Sequence, residues 1–356
     1  MTLDPRDPAM GAQLVAARAA GRLPTPGLPP QTEARAVWVG CGESYAVWRL
    51  EAGGVSLSAR LPFRPPEQMP RPMAAEFAAL RLVPEKVGTR GLALADDDHN
   101  PFGQRYLLTT WTPGRVKPVE RWGATDFERL AVQLARLHAL RRPQAGLVDQ
   151  PITPDRVNQP TVIAPNPVNQ PVPAAPDLVA DFDASLAWWR DHHPAALAQP
   201  EWSRLAQLTR RFVAARAEAG GRPRQFSLIH GDLEATNVVF AADDWPRLID
   251  WEWAEYGDPA RDLAYVGGRA AAGPWYVPMD QTQIVAFVTS YVRAAAARGV
   301  DHDLDRLLAR RDAWEAYNHF FCGLHRDQRQ AAQPQTYPEA DLRALRQGLA
   351  RLVAGA

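Results

Sequence analysis

Between residues 36 and 61 the chain spells strand, glycine loop, strand, tight turn and strand. The runs are 36–39, the loop Gly40-Cys41-Gly42-Glu43-Ser44, 45–50, the turn Gly53-Gly54, and 55–61. Connections this short join antiparallel neighbours, so the segment is expected to form an antiparallel meander. Before it, Met10, Leu14 and Val15 suggest a short helix that a Pro and Gly breaker ends at 24–30. After it, 74–83 reads as a helix and 106–110 as another strand. Trp111-Thr112-Pro113-Gly114 then breaks the pattern and is the expected hinge, dividing the chain into 1–112 and 113–356.

The second part reads differently. Thr125-Asp126-Phe127-Glu128 has the form of a capping box, and Phe127, Leu130, Ala131, Leu134 and His138 follow at helical spacing. Eight prolines between Pro151 and Pro176, with Val-Asn-Gln-Pro twice, exclude helix there and predict that the insertion 143–176 is an extended surface segment. Helical stripes return at Ile284, Phe287, Val288 and Tyr291, stopped by Gly299, and at Leu304, Leu308, Trp314, Tyr317 and Phe321. The expected class is α+β: a small antiparallel sheet first, a larger and mostly helical part second.

Bulk properties restrict the partners. A chain of 356 residues has room for about two domains at roughly 150 residues each. Its 40 Lys and Arg balance its 40 Asp and Glu, so no global basic field draws nucleic acid or an anionic membrane. The two cysteines, Cys41 and Cys322, have no metal-ligand spacing and form no disulfide framework. With no apolar run of about 18 residues, neither export nor membrane insertion is expected, and a reducing cytoplasm is the expected location.

The chemistry concentrates in residues 228–252. Residues 238–240 and 247–249 are short apolar runs on either side of a turn, which reads as a hairpin. Antiparallel pairing would bring Asn237, before the first strand, beside Asp250, after the second, with Asp232 one loop earlier. Two carboxylates and an amide oxygen are hard oxygen donors and a base around one small volume, suited to magnesium shared with phosphates. Four residues separate Asp232 from Asn237, the spacing of the kinase catalytic loop. On this reading Asp232 is the base, and Asn237 and Asp250 are the metal ligands.

His230-Gly231-Asp232 with Asn237, then Ile249-Asp250-Trp251-Glu252, then Gly257-Asp258-Pro259-Ala260-Arg261-Asp262-Leu263-Ala264, resembles the aminoglycoside phosphotransferase and choline kinase superfamily. The resemblance implies a bilobal protein-kinase-like fold and an ATP- and Mg2+-dependent transfer of the γ-phosphoryl group to a small-molecule hydroxyl. It further implies that the loop around Gly40, Gly42 and Ser44 covers the phosphates. Arg60 would stand where kinases carry a phosphate-pairing lysine, with Glu76 as its ion-pair partner. His230 and Asp262 would support the catalytic loop. Asp258 before Pro259 reads as a helix N-cap, and His138 as a core residue.

From His230 to Asp262 nine acids face only Arg247 and Arg261, a surplus that would favour a cationic acceptor. Glu252 and Glu255 are expected to meet it, and Trp251 is one of several rings that could cage an ammonium group. The run Asp250-Trp251-Glu252 looks closer to the choline and thiamine kinase branch, which points to an amino alcohol, with an aminoglycoside as the other acceptor class. An alternative reading is a catalytically silent nucleotide-binding or regulatory protein on the same fold, suggested by Arg60 and the proline-rich insertion. Metal-dependent hydrolysis through His230 and Asp232 lacks a second histidine cluster.

Overall fold

The computed structural model describes residues 3–141, 177–223, 226–334 and 336–354. The proline-rich stretch 143–176 and its repeated tetrapeptide lie outside these residues. The described residues pack as two compact units, one formed by 3–113 with Ile249–Trp253, the other by 114–141, 177–248 and 254–354.

In the first unit, helix α1 (Ala9–Ala19) precedes the meander of β1 (Arg35–Cys41), β2 (Tyr45–Ala52) and β3 (Val55–Pro62). Helix α2 (Met73–Leu82) follows, then β4 (Gly91–Ala95) and β5 (Tyr106–Thr110). The strands form one antiparallel sheet in the order β1-β2-β3-β5-β4. Alternation decides which side of the sheet is apolar. Trp48 and Leu50 on β2 and Leu57, Ala59 and Leu61 on β3 join a core with Met10, Leu14 and Ala17 of α1, all at most 4% exposed. The expected stripe on α1 therefore closes with Ala17, one turn on, while Val15 is only half-buried.

The second unit begins with β6 (Arg115–Val116) and α3 (Ala124–His138), and continues through α4 (Leu178–His192), α5 (Pro194–Leu197) and α6 (Pro200–Gly220). Then come β7 (Ser227–Ile229), β8 (Val238–Phe240), β9 (Pro246–Leu248) and β10 (Glu255–Gly257). The remaining elements are α7 (Pro259–Tyr265), β11 (Gly267–Gly268), β12 (Val277–Pro278), α8 (Gln281–Ala296), α9 (Leu304–Ala332) and α10 (Glu339–Ala354). Long α9 is the spine against which α6, α7 and α10 pack, and α3 packs on α8. Gly323 of α9 is required by close approach: a Cβ there would meet the Trp202 ring of α6 at 2.8 Å. Phe182 of α4 lies edge-on or tilted to Tyr317, Phe320 and Phe321 of α9, completing an aromatic core.

The start of α3 corrects the expected cap. Gly123, in extended backbone, is the N-cap, and its N–H donates to Asp126 Oδ2 at 2.8 Å. Asp126 Oδ1 also accepts from Lys117 at 2.5 Å, so the carboxylate serves the cap and an ion pair together and displaces Thr125 and Glu128 from those roles. Among the described residues, no helix is long and apolar enough to cross a membrane.

Candidate functional site

In the second unit β7 delivers His230, Gly231 and Asp232. Asp262 on α7 is fully buried, and its Oδ2 accepts from the His230 N–H at 2.7 Å while Oδ1 accepts from the Gly231 N–H at 2.9 Å. His138 Nε2 from α3 lies 3.1 Å from the same Oδ2. Burial alone would push the Asp262 carboxyl up; the hydrogen bond from His138, with help from the His230 N–H, outweighs it and holds the group below its ordinary range. Helix α7 starts as expected, with Asp258 capping the Ala260 N–H at 3.0 Å and Pro259 in its first turn. His230 is fully buried, and its Nδ1 accepts from the Asp232 N–H at 3.3 Å.

Asp232 and Asn237 are brought together. Asn237 Nδ2 donates to Asp232 O at 2.8 Å and to Asp232 Oδ2 at 3.2 Å, across one short helical turn over Ala235–Asn237. With its nitrogen so committed, Asn237 keeps Oδ1 as an acceptor. The hairpin is shifted from the expected one: its ladder pairs Val238 with Leu248 and Phe240 with Pro246. Asn237 thus stands one residue before the last rung and Asp250 two residues beyond it, so they are not the cross-strand neighbours that a strand over 247–249 implied. At Asp250 the backbone turns left-handed, φ 63°, a conformation that Asp tolerates better than most residues and that is often found at functional positions.

Three residues that the spacing gave no reason to choose also hold this loop. Arg326 of α9 ion-pairs with Glu234, whose Oε1 also accepts from the Tyr276 hydroxyl at 3.1 Å. The Ala235 N–H donates to Trp275 O at 2.7 Å, and the Trp275 ring lies 4.3 Å from the Arg326 guanidinium. Ninety-two positions separate Arg326 from Glu234, and only the packing of α9 connects them.

In the first unit, Arg60 on β3 donates to Glu76 Oε1 of α2 at 2.6 Å and to Asp250 Oδ1 at 2.5 Å. Tyr45 donates its hydroxyl to Glu76 Oε2 at 2.8 Å, and its ring centre lies 4.3 Å from the guanidinium. Burial would lower the Arg60 pKa, but the Glu76 and Asp250 carboxylates more than offset it, so the side chain stays a cation. Glu76 is pushed up by burial, against the pull of Arg60. The expected pair of Arg60 with Glu76 is present, and Asp250 is its third member.

The glycine loop is tighter than expected. Strand β1 runs on to Cys41 through a bulge between Trp38 and Gly40, where Gly40 takes φ 152°, and the Gly42 N–H closes the tip on Tyr45 O at 3.0 Å. Cys41 and Gly42 are exposed at the tip. Ser44 is not: it is 1% exposed. That placement corrects the expectation of a hydroxyl offered to phosphate, because Tyr45 and Ser44 have already turned into the unit.

The expected acceptor residues are mostly committed elsewhere. Trp251 is fully buried, so it presents no ring face to a cation, which corrects its assignment. Glu252 is buried; burial, with the Asp250 and Glu76 charges adding, pushes its carboxyl well above the ordinary range. Glu255 of β10 is half-buried and ion-paired with Arg261 at 2.8 Å.

Among the described residues, no group of three or more His, Cys, Asp or Glu side chains could hold a metal ion. The donors left are all oxygen: Asn237 Oδ1 and the Asp250 oxygen that Arg60 does not use. Each, within its own unit, is a hard oxygen donor of the type that suits a cation whose other ligands are phosphates and water.

The model of the phosphotransferase enzyme family (APH) matches residues 39–300. No curated protein matches the sequence. Among solved structures, ethanolamine kinase from Plasmodium vivax superposes with a TM-score of 0.60 at 12% identity, covering 96% of this chain and 87% of that one. Choline kinase LicA from Streptococcus pneumoniae gives 0.55 at 10% identity, covering 87% and 90%. The aminoglycoside phosphotransferase APH(4)-Ia, solved with AMP-PNP and hygromycin B, gives 0.54 at 13% identity, covering 90% and 94%. At such identities the likenesses establish the fold, which is protein-kinase-like. With the family model spanning most of its length, the chain belongs to the phosphotransferase enzyme family (APH).

Proposed function

We propose that this protein transfers the γ-phosphoryl group of ATP to the hydroxyl of a small amine-bearing alcohol, with magnesium. The observation that carries the reading is the Asp232–Asn237 pair, held 3.2 Å apart on a loop whose backbone N–H groups are tied to Asp262. Asp232 orients the acceptor hydroxyl and takes its proton as the new oxygen–phosphorus bond forms, while the bond from the γ-phosphorus to the β,γ-bridging oxygen breaks and ADP leaves. Arg60 pairs with the phosphates, and the backbone N–H groups around Gly40 and Gly42 cover them. Asn237 and Asp250 would hold magnesium, which when bound neutralises phosphate charge. Most of the acceleration comes from positioning and from charge neutralisation.

The amine in the acceptor is supported by the nine acids against two arginines between His230 and Asp262, and by fold relatives described as ethanolamine, choline and aminoglycoside kinases. Nucleotide use is supported by relatives solved with AMP-PNP or ADP. Two free cysteines, Cys41 exposed at a loop tip, accord with a reducing compartment such as the cytoplasm. The test is ADP release from ATP, with and without Mg2+, against choline, ethanolamine, aminoglycosides, sugars and amino acids. Magnesium-dependent release with an amino alcohol or aminoglycoside is expected; no acceptor-stimulated release across the panel would count against the reading.

A further inference from the structure

Behind Asp262 the hydrogen bonds continue outward through the second unit. His138 Nδ1 lies 3.0 Å from the Tyr291 hydroxyl of α8, and that hydroxyl lies 3.4 Å from His302 Nε2, just before α9. His138 is 1% exposed and Tyr291 fully buried, so water does not supply missing partners. With one proton on the His138 ring, donor counting gives each bond a direction. An ionised Asp262 only accepts, so His138 carries its proton on Nε2. A neutral ring leaves Nδ1 as a buried acceptor, which the Tyr291 O–H satisfies, and the Tyr291 oxygen accepts in turn from His302 Nε2–H.

We infer that Tyr291 and His302 are positioning residues of the catalytic loop: they hold His138 as the Nε2–H tautomer, and through Asp262 they fix the His230 and Gly231 N–H groups that place Asp232. Protonation states agree with this direction. Burial pushes the Tyr291 phenol well up, and the Asp258 and Asp262 carboxylates add to it, so it keeps its proton. Burial, with the charge of Arg310 adding, pushes His302 down to about 4, so its ring is neutral near pH 7. Remove the phenol oxygen and the buried Nδ1 loses its donor; the ring then gains by taking a second proton or by exchanging tautomers, and either change alters what Asp262 receives. The effect on turnover rests on the reading of Asp232 as base, whereas the tautomer itself does not.

The experiment is 15N NMR of the full-length protein labelled at histidine, with His138 assigned by the loss of its signals in His138→Gln. The wild type should show His138 with an unprotonated, hydrogen-bonded Nδ1 and a protonated Nε2. Tyr291→Phe should shift Nδ1 and lower kcat about tenfold, with KM for the nucleotide within about twofold. His302→Gln, which keeps an N–H donor, should stay near wild type in both readouts, while His302→Leu should move in the direction of Tyr291→Phe. A wild-type His138 that is doubly protonated or carries its proton on Nδ1 overturns the inference, as does a folded Tyr291→Phe with unchanged Nδ1 shift and kcat. Should Tyr291→Phe fail to fold, the wild-type tautomer and the His302 pair decide. If the wild type phosphorylates no acceptor, the Asp232 reading falls, and the tautomer assignment still answers for the relay.

Discussion

Arg326 reaches from α9 to the carboxylate of Glu234, the second residue after Asp232 in the loop. Both side chains are about one-tenth exposed, and the Tyr276 hydroxyl donates to the Glu234 oxygen that Arg326 also meets. A pair this shielded is costly to break from one side, because the survivor stays buried and charged. Arg326→Met should therefore destabilise the protein by about 3 kcal/mol and lower kcat, whereas the double variant Glu234→Gln with Arg326→Met should regain most of the stability. Urea denaturation of the single and double variants checks this; equal losses in both would show that the pair itself contributes little.

Asp262 presents two oxygens to three donors: the His230 and Gly231 N–H groups and His138 Nε2. Asn at this position keeps the shape but turns one acceptor into a donor that faces another donor. Asp262→Asn is expected to cost about 2 to 4 kcal/mol and to lower kcat about 100-fold or more through a displaced Asp232. Thermal denaturation and steady-state kinetics together check it; near-normal kcat would mean that the loop holds its place without the carboxylate.

The parts legible in the sequence are those set by short-range pattern. Strands β2, β3 and β5 each put apolar residues against the α1 core, and the two glycine turns fixed the order of β1, β2 and β3. Strand β4 was missed: its five residues are all half-buried, with no period of two to read. The Asp232–Asn237 spacing survives folding because both ends belong to one short loop. The Asn237–Asp250 relation came out displaced because a one-residue change in where β9 ends moves everything after it. Arg326, Tyr276 and Tyr291 were not found as site residues, since what they do depends on partners that only helix packing brings close. Tyr291 was legible only as one apolar position in the stripe on α8; its hydroxyl partner is 153 positions away.

Arg60 joins Glu76 to Asp250, and Glu76 is 2% exposed. Arg60→Ala strands a buried carboxylate next to Tyr45 and is expected to lose about 3 kcal/mol of stability together with nearly all turnover. Arg60→Lys keeps one cation but cannot span both carboxylates with a fork, so a partial recovery of turnover is expected, with a raised KM for the nucleotide. Turnover of the lysine variant as low as that of the alanine variant would place the requirement on the guanidinium geometry itself.

The depressed His302 value has a consequence for acid stability. Its folded value is about 4 against an ordinary 6.5, so between these pH values the unfolded chain binds a proton that the folded protein refuses. Unfolding is therefore favoured as pH falls from 6.5 to 4, and the loss from this group is complete below about 4. Asp262, depressed as a carboxyl, adds stability that is lost only at lower pH, as the folded group is titrated. Denaturant midpoints measured from pH 4 to 7 should fall with acid in the wild type and fall less in His302→Gln. The same slope in both would assign the acid sensitivity to other groups.

The most direct measurement of the central claim is transfer of labelled γ-phosphate from ATP to an accepted alcohol by the wild type and by Asp232→Asn, with nucleotide affinity measured alongside. If Asp232 is the base, the variant should bind nucleotide within about twofold of the wild type and form phosphomonoester about 100- to 10,000-fold more slowly. Transfer by Asp232→Asn within about tenfold of the wild-type rate would contradict the account.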